Sequence, residues 1–158
     1  MPDSLNLKES IYLSELKKVY LDEAVTLDKF HKDYFDKLPS DKKEIFYNPQ
    51  RGHYHILMFN KQRAGIAGVI LNPKHKQYGF FGIYIEKRYR GKDLLKKAAE
   101  LIYKKYKLKS LIATIKNYNK ASIKGHLKAG FIPIEDIVNP NAIEKNYNKN
   151  EIVLIYRG

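Results

Sequence analysis

The sequence predicts an α/β (α+β) domain built on one mixed sheet of six or seven strands with helices on its faces. Three observations carry this prediction. Runs of β-branched and aromatic residues come first as a hairpin pair, His53–Phe59 and Ala64–Leu71, joined by the polar turn Asn60–Arg63. Later strand patterns then alternate with helix-period patterns. No linker, repeat or low-complexity stretch divides the 158 residues, a length that suits one core.

Taken in order, Ile11–Leu16 reads as a first strand within a stretch that also carries helix formers. Leu21–Leu38 places Leu21, Val25, Leu27, Phe30, Tyr34, Phe35 and Leu38 near helical spacing, and Pro39 ends the predicted helix. Ser40-Asp41 can open a short following turn. After the hairpin, Asn72-Pro73 stops the second strand and Tyr78–Ile85 is the third. Asp93–Tyr106 is a helix with Leu94, Leu95, Ala98, Ala99, Ile102 and Tyr106 on one side. Ser110–Ile115 is a strand. Lys120–Ala129 is a helix that Gly130 closes with a left-handed cap. Phe131–Ile137 and Glu151–Tyr156 are the last strands, separated by an Asn-rich loop.

Composition removes several function classes. With no cysteine, the chain has no disulfide, zinc–thiolate site or cysteine nucleophile. No apolar run approaches the roughly 20 residues that span a bilayer. Met1 to Ser10 lacks the basic-then-apolar layout of a signal peptide. A cytoplasmic protein with no membrane partner is the expectation. The formal charge of +13 is uneven: residues 1–50 hold 8 basic and 10 acidic side chains, whereas residues 51–158 hold 22 basic and 7 acidic. Such a field favours anions, among them nucleotides, nucleotide-linked substrates and RNA.

The segment that carries chemistry follows the third of these strands. Tyr78–Ile85 runs into Glu86, Lys87, Arg88, Tyr89, Arg90, Gly91 and Lys92, and then into a helix. Free N–H groups and the positive dipole end of a helix attract anions. Gly91 lets the backbone approach a ligand, and Arg88, Arg90 and Lys92 add charge. Residues 83–92 resemble the cofactor-binding motif of the GCN5-related N-acetyltransferase (GNAT) superfamily, whose common form is Arg/Gln-x-x-Gly-x-Gly/Ala after the fourth strand. Asn119-Lys-Ala-Ser122-Ile-Lys-Gly-His126-Leu-Lys-Ala-Gly130-Phe131 is similar to that family's second signature. The two occur in the expected order, with a helix and a strand between them.

The resemblance implies a mostly antiparallel sheet flanked by helices on both faces. Residues 53–158 would be the cofactor-binding core and residues 1–50 a variable, substrate-side region. It implies acetyl-CoA as co-substrate, no metal, and an amine acceptor, small-molecule or macromolecular, with a homodimer as one assembly. The backbone of Ile83, Tyr84 and Ile85 would pair with the pantetheine arm. Arg90 and the amides of Gly91, Lys92, Asp93, Leu94 and Leu95 would hold the pyrophosphate. Asn119 and Ser122 would contact the pantetheine or the departing coenzyme, and His126 would protonate the thiolate. The frame on Arg90 aligns Ala98, Ala99 and Ile102 with the helix's usual apolar positions, and it puts Asp93 and Leu95 where relatives carry small residues. Asp93 there repels a pyrophosphate unless it caps the helix.

A thioester is already activated, so an aligned neutral amine attacks it directly. Glu86, Tyr84, Tyr78 and His75 lie along or beside the relevant strand as candidate proton acceptors. His53 and His55 share a strand face without an evident third ligand, so a structural or substrate-side role is expected. Thirteen tyrosines among the lysines suit nucleic acid, but no RNA-binding motif is present. The reading is acetyl transfer from acetyl-CoA to a primary amine, anionic or nucleotide-linked acceptors being favoured by charge. The alternative is a non-catalytic acyl-CoA-binding or RNA-binding protein on the same fold.

Overall fold

Asn60 and Lys61 both take positive φ, 49° and 65°, the signature of a two-residue type I′ turn whose twist matches that of the strands it joins. This turn sets the register of β2 (Gly52–Phe59) against β3 (Gln62–Leu71), and the register slips at Leu57/Met58, leaving Ala64 as the extra residue of a bulge. The computed structural model describes residues 24–40, 45–134 and 150–158. The predicted strand Ile11–Leu16 lies outside the described residues.

Around the hairpin stand β1 (Val25–Lys29), α1 (Lys32–Lys37), β4 (Tyr78–Ile85), α2 (Leu94–Lys105), β5 (Ser110–Lys116), α3 (Lys120–Lys128), β6 (Ile132–Pro133) and β7 (Glu151–Tyr156). They form one seven-stranded sheet in the order β1-β2-β3-β4-β5-β7-β6. Every neighbouring pair is antiparallel except β4 and β5 at the centre. One face packs Leu57, Val69, Phe81, Leu111 and Leu154 against Ala98, Ala99 and Ile102 of α2 and Phe131 after α3. The other packs Tyr54, Ile56, Ile66 and Tyr84 under Leu38, Ile45 and the aromatic side chains around α1. The expected mixed α/β fold with helices on both faces is present.

The helix expected over Leu21–Leu38 is corrected within its described part. Val25–Lys29 is an edge strand paired with β2, and only Lys32–Lys37 is helical. The apolar residues divide between the two faces of the sheet: Val25 and Leu27 join one core, Phe30, Tyr34 and Phe35 the other. Strand pairing overrides a helical spacing that is only local. Pro39 does follow the helix end, and the other strands agree with their predicted positions within two residues, Phe131–Ile137 being strand at Ile132–Pro133 among its described residues.

Both long helices end in the same hydrogen-bonded motif. After α3, Gly130 takes φ 103° while the N–H of Phe131 donates to the His126 carbonyl at 3.0 Å. After α2, the N–H of Leu108 donates to the Tyr103 carbonyl at 2.9 Å, but the left-handed residue is Lys107, φ 52°. A side chain in that conformation costs roughly 1 kcal/mol. Lys107→Gly is expected to stabilise the protein by about 0.5–1 kcal/mol. Scanning calorimetry should register this as a Tm increase of roughly 1–4 °C; an unchanged Tm would show that Lys107 makes compensating contacts.

Candidate active site

β4 and β5 run parallel for three residue pairs, Tyr78↔Ser110 to Phe80↔Ile112, and then part. The phase of the β3–β4 ladder decides what the parting exposes. Asn72 N–H donates to the Tyr78 carbonyl and Glu86 N–H to the Ala64 carbonyl, both at 2.8 Å. Even-numbered residues of β4 therefore bond to β3, and Ile83 and Ile85 turn their N–H and C=O toward the gap. Arg90 has already taken one of these groups: its Nε donates to the Ile85 carbonyl at 3.0 Å, and its guanidinium lies 6.0 Å from the Tyr84 ring.

The gap widens into a cleft of about 490 Å³ between α2 and α3, a volume ordinary for a small-molecule site. All the residues proposed from sequence to hold the coenzyme line it except Lys92, as does His126; Glu86, Arg88 and the other candidate proton acceptors, Tyr78 and His75, do not. Lys92 lies outside the lining, its ammonium 5.5 Å from the Phe59 ring. Tyr84 reaches the cleft along its backbone while its ring is buried in the opposite core.

The approach to α2 contains two left-handed residues, Gly91 at φ 81° and Asp93 at φ 57°. At Asp93 the backbone adopts a conformation that glycine takes freely and that Asp tolerates better than most residues. Its side chain makes no capping bond. The carboxylate instead points across the mouth of the cleft to Lys128, Oδ1 to Nζ 3.4 Å. The N–H groups of Leu94, Leu95 and Lys96 meet no acceptor among the described residues and form an anion-attracting helix end. Leu95 is bulky, but α3 presents Gly125 opposite, where a Cβ would sit 3.6 Å from Leu95 Cδ1. The cleft keeps its width because the small residue is on the facing helix.

The wall contributed by α3 is fastened by Asn119, whose side chain accepts from the Ser122 N–H at 3.2 Å. His126 is buried at 4% exposure against Phe81 and Phe131. A carbonyl can only accept, so Nδ1 is the protonated ring nitrogen, donating to the Ser122 carbonyl at 2.7 Å and leaving a lone pair on Nε2. Burial pushes the imidazole pKa below its usual value, partly offset by the Ser122 bond.

A second group of polar side chains stands on the other face of the sheet, at the end of β4. Tyr34 of α1 donates its hydroxyl to Glu86 Oε2 at 2.7 Å. Arg63, at the start of β3, lies 5.5 Å from the centre of the same ring. Burial and the Glu86 carboxylate push the Tyr34 pKa far up, so the phenol stays a donor. Sequence reading missed Tyr34, Arg63, Gly125 and Lys128; Gly125 and Lys128 lie within the second signature, Tyr34 and Arg63 within neither. His53 and His55 both flank Tyr106, with ring centres at 5.1 and 5.8 Å, and His55 is hydrogen-bonded to its hydroxyl. Among the described residues no three His, Cys, Asp or Glu side chains are grouped to hold a metal, and no helix is long and apolar enough to cross a membrane.

The profile of the acetyltransferase (GNAT) family matches residues 17–131. The chain belongs to that family. No curated sequence is similar enough to count as a relative, but solved structures share the fold. Campylobacter jejuni N-acetyltransferase PseH, determined with acetyl coenzyme A, superposes with a TM-score of 0.60 at 11% identity, over 85% of this chain and 99% of that one. A variant of Vibrio cholerae spermidine N-acetyltransferase SpeG gives 0.60 at 14% identity, over 84% and 92%. A Bacillus subtilis acetyltransferase with CoA gives 0.56 at 12%, over 86% and 99%. The family resemblance seen in the two signatures, and the enzyme class it implies, are borne out.

The buried neutral histidine has a consequence for stability. A lowered folded pKa means that the unfolded chain binds more protons, so stability rises with pH. The contribution is complete above the unfolded value near 6.5 and is lost as pH falls below it. Denaturation midpoints are expected to fall on acidification below about 6.5, with a shallower slope in His126→Phe. An equal slope in the variant would assign the effect to other groups, such as His55, also lowered by burial.

Proposed function

We propose that the protein transfers the acetyl group of acetyl-CoA to a primary amine by direct attack, with residues 53–158 supplying the coenzyme side and residues 1–50 part of the acceptor side. The observation that carries this reading is the backbone edge of Ile83 and Ile85, left by β5 and taken only at the Ile85 carbonyl by Arg90, facing a helix start whose first N–H groups meet no acceptor among the described residues. An extended arm that carries amides and ends in phosphates matches both features. The residues present fit that group: the edge offers strand-like hydrogen bonds, Gly91, Leu94 and Leu95 offer backbone amides, and Gly125 leaves room. Acetyl-CoA, when bound, supplies the activated acyl carbon.

The chain's own groups then have distinct tasks. Ile85 holds its carbonyl on Arg90, so its N–H alone remains toward the gap, placed to donate to the charge that develops on the acyl oxygen. Glu86, just past that strand end, takes a proton from the ammonium form of the acceptor and so frees its lone pair. As the new C–N bond forms and the C–S bond breaks, the nitrogen loses its second proton and the thiolate gains one. His126 Nε2 is the relay between them. As a neutral imidazole it accepts before it can donate, so it serves the thiolate only after receiving that proton. One proton in total leaves to solvent through Glu86. The charge of the chain favours anionic over polycationic acceptors.

Calorimetric titration tests the coenzyme side. Acetyl-CoA and CoA are expected to bind with micromolar Kd and ATP much more weakly; no heat with either coenzyme would overturn the reading and leave a non-catalytic anion-binding protein. Arg90→Ala is expected to weaken acetyl-CoA by roughly tenfold, the worth of one charge-assisted bond, with the fold intact and Tm lowered only slightly by loss of the bond to the Ile85 carbonyl. Asp93→Asn keeps a residue that tolerates the left-handed conformation and removes the carboxylate. It is expected to tighten acetyl-CoA by about three- to tenfold; unchanged affinity would show that Lys128 already holds that charge away from the phosphates.

A further inference from the structure

Glu86 and Arg63 both contact Tyr34, one through the ring's hydroxyl and the other through its face, yet they form no ion pair with each other. Opposite charges that share a neighbour normally close on one another. Here each is held on a different part of Tyr34, Glu86 at the hydroxyl and Arg63 over the ring. Tyr34 is half-buried, as is Glu86, and Arg63 is exposed, so the arrangement is open to solvent. It is also built: α1 brings the ring across 52 residues of sequence to Glu86, and the type I′ turn with the bulge at Ala64 sets where β3 presents Arg63. Ala64 is itself the residue whose carbonyl accepts from Glu86 N–H. Arg90, a further cation at the end of β4, is engaged with the Ile85 carbonyl and the Tyr84 ring.

We propose that this face receives an amine carrying its own anionic group, a carboxylate or a phosphate, with the ammonium on Glu86 and the anion on Arg63. This rests on the acetyl-transfer reading, because it places the nitrogen beside the strand end where the acyl carbon would lie. A guanidinium suits both anions, since each offers a pair of oxygens to its fork of donors. A neutral amine satisfies only Glu86. A polyamine sets a second cation against Arg63, so it is selected against by repulsion as well as by lost contact.

The test compares acetylation of four primary amines by the full chain with acetyl-CoA: ethanolamine as the neutral parent, O-phosphoethanolamine, β-alanine and spermidine. The phosphate- or carboxylate-bearing amine is expected to exceed ethanolamine in kcat/KM by at least tenfold, about 1.4 kcal/mol of discrimination, and spermidine is expected to be the poorest. Whichever anion gives the higher value identifies the better-matched group. In Arg63→Gln the preference should collapse toward unity, while the acetyl-CoA affinity measured by calorimetry stays that of the parent. Acetylation of all four amines with no preference, or a preference that survives Arg63→Gln, would overturn this inference and leave acetyl transfer standing. Acetyl-CoA binding with no amine acetylated would overturn the transfer reading and this inference with it.

Discussion

Strands in a sheet normally stay paired because an unpaired backbone amide or carbonyl inside a protein costs free energy comparable to a lost hydrogen bond. β4 departs from that rule at the centre of the sheet. It pairs with β5 from Tyr78 to Phe80 and then leaves it, while β3 holds its other edge as far as Ile85 and β5 turns to β7. Two consequences follow. The parted strands open a space that α2 and α3 wall without filling, and the chain leaving β4 must turn at that opening to begin α2. The backbone groups of Ile83 and Ile85 and the first amides of α2 therefore face one volume. The protein satisfies one of these groups itself, through Arg90 on the Ile85 carbonyl.

The turn into α2 shows how a loop conformation is kept when its residue type changes. The family's small residues allow a left-handed backbone and close approach of phosphate. Here the left-handed geometry persists at Asp93, at a cost of roughly 1 kcal/mol. A second cost is electrostatic, a carboxylate beside an anion site, and Lys128 opposes it from the facing helix. Leu95 and Gly125 repeat the pattern in volume: bulk on α2 is matched by its absence on α3. Both departures from the motif thus have their counterparts on the second signature segment.

These counterparts explain what was legible in the sequence. Periodicity located β2 to β5, α2, α3 and β7, because each buries one face or both and its residue types carry that directly. The signatures brought most of the cleft lining together for the same reason: strand, turn and helix follow one another in the chain. Leu21–Leu38 misled because its apolar residues serve two cores on opposite faces of the sheet, and their spacing imitates one stripe. Tyr34 and Arg63 left no trace. Each is an ordinary residue locally, and its meaning comes from a contact that only the folded sheet creates.

Charge makes the same distinction between what is global and what is local. The excess of +13 can draw anions toward the molecule, but screening erases such a field within about 10 Å at ordinary salt. It cannot tell a nucleotide from an anionic amine. Discrimination requires charges fixed at short range and left without partners of their own, because a cation already paired gains little from a ligand. Arg90, on the Ile85 carbonyl, has given up part of that capacity. Among the described residues, Arg63, held over the Tyr34 ring, retains its guanidinium hydrogens for a ligand, and Glu86 keeps a second carboxylate oxygen beyond the one that Tyr34 occupies. The proposed selection of an anionic amine rests on the unfilled valences of these two side chains more than on the net charge.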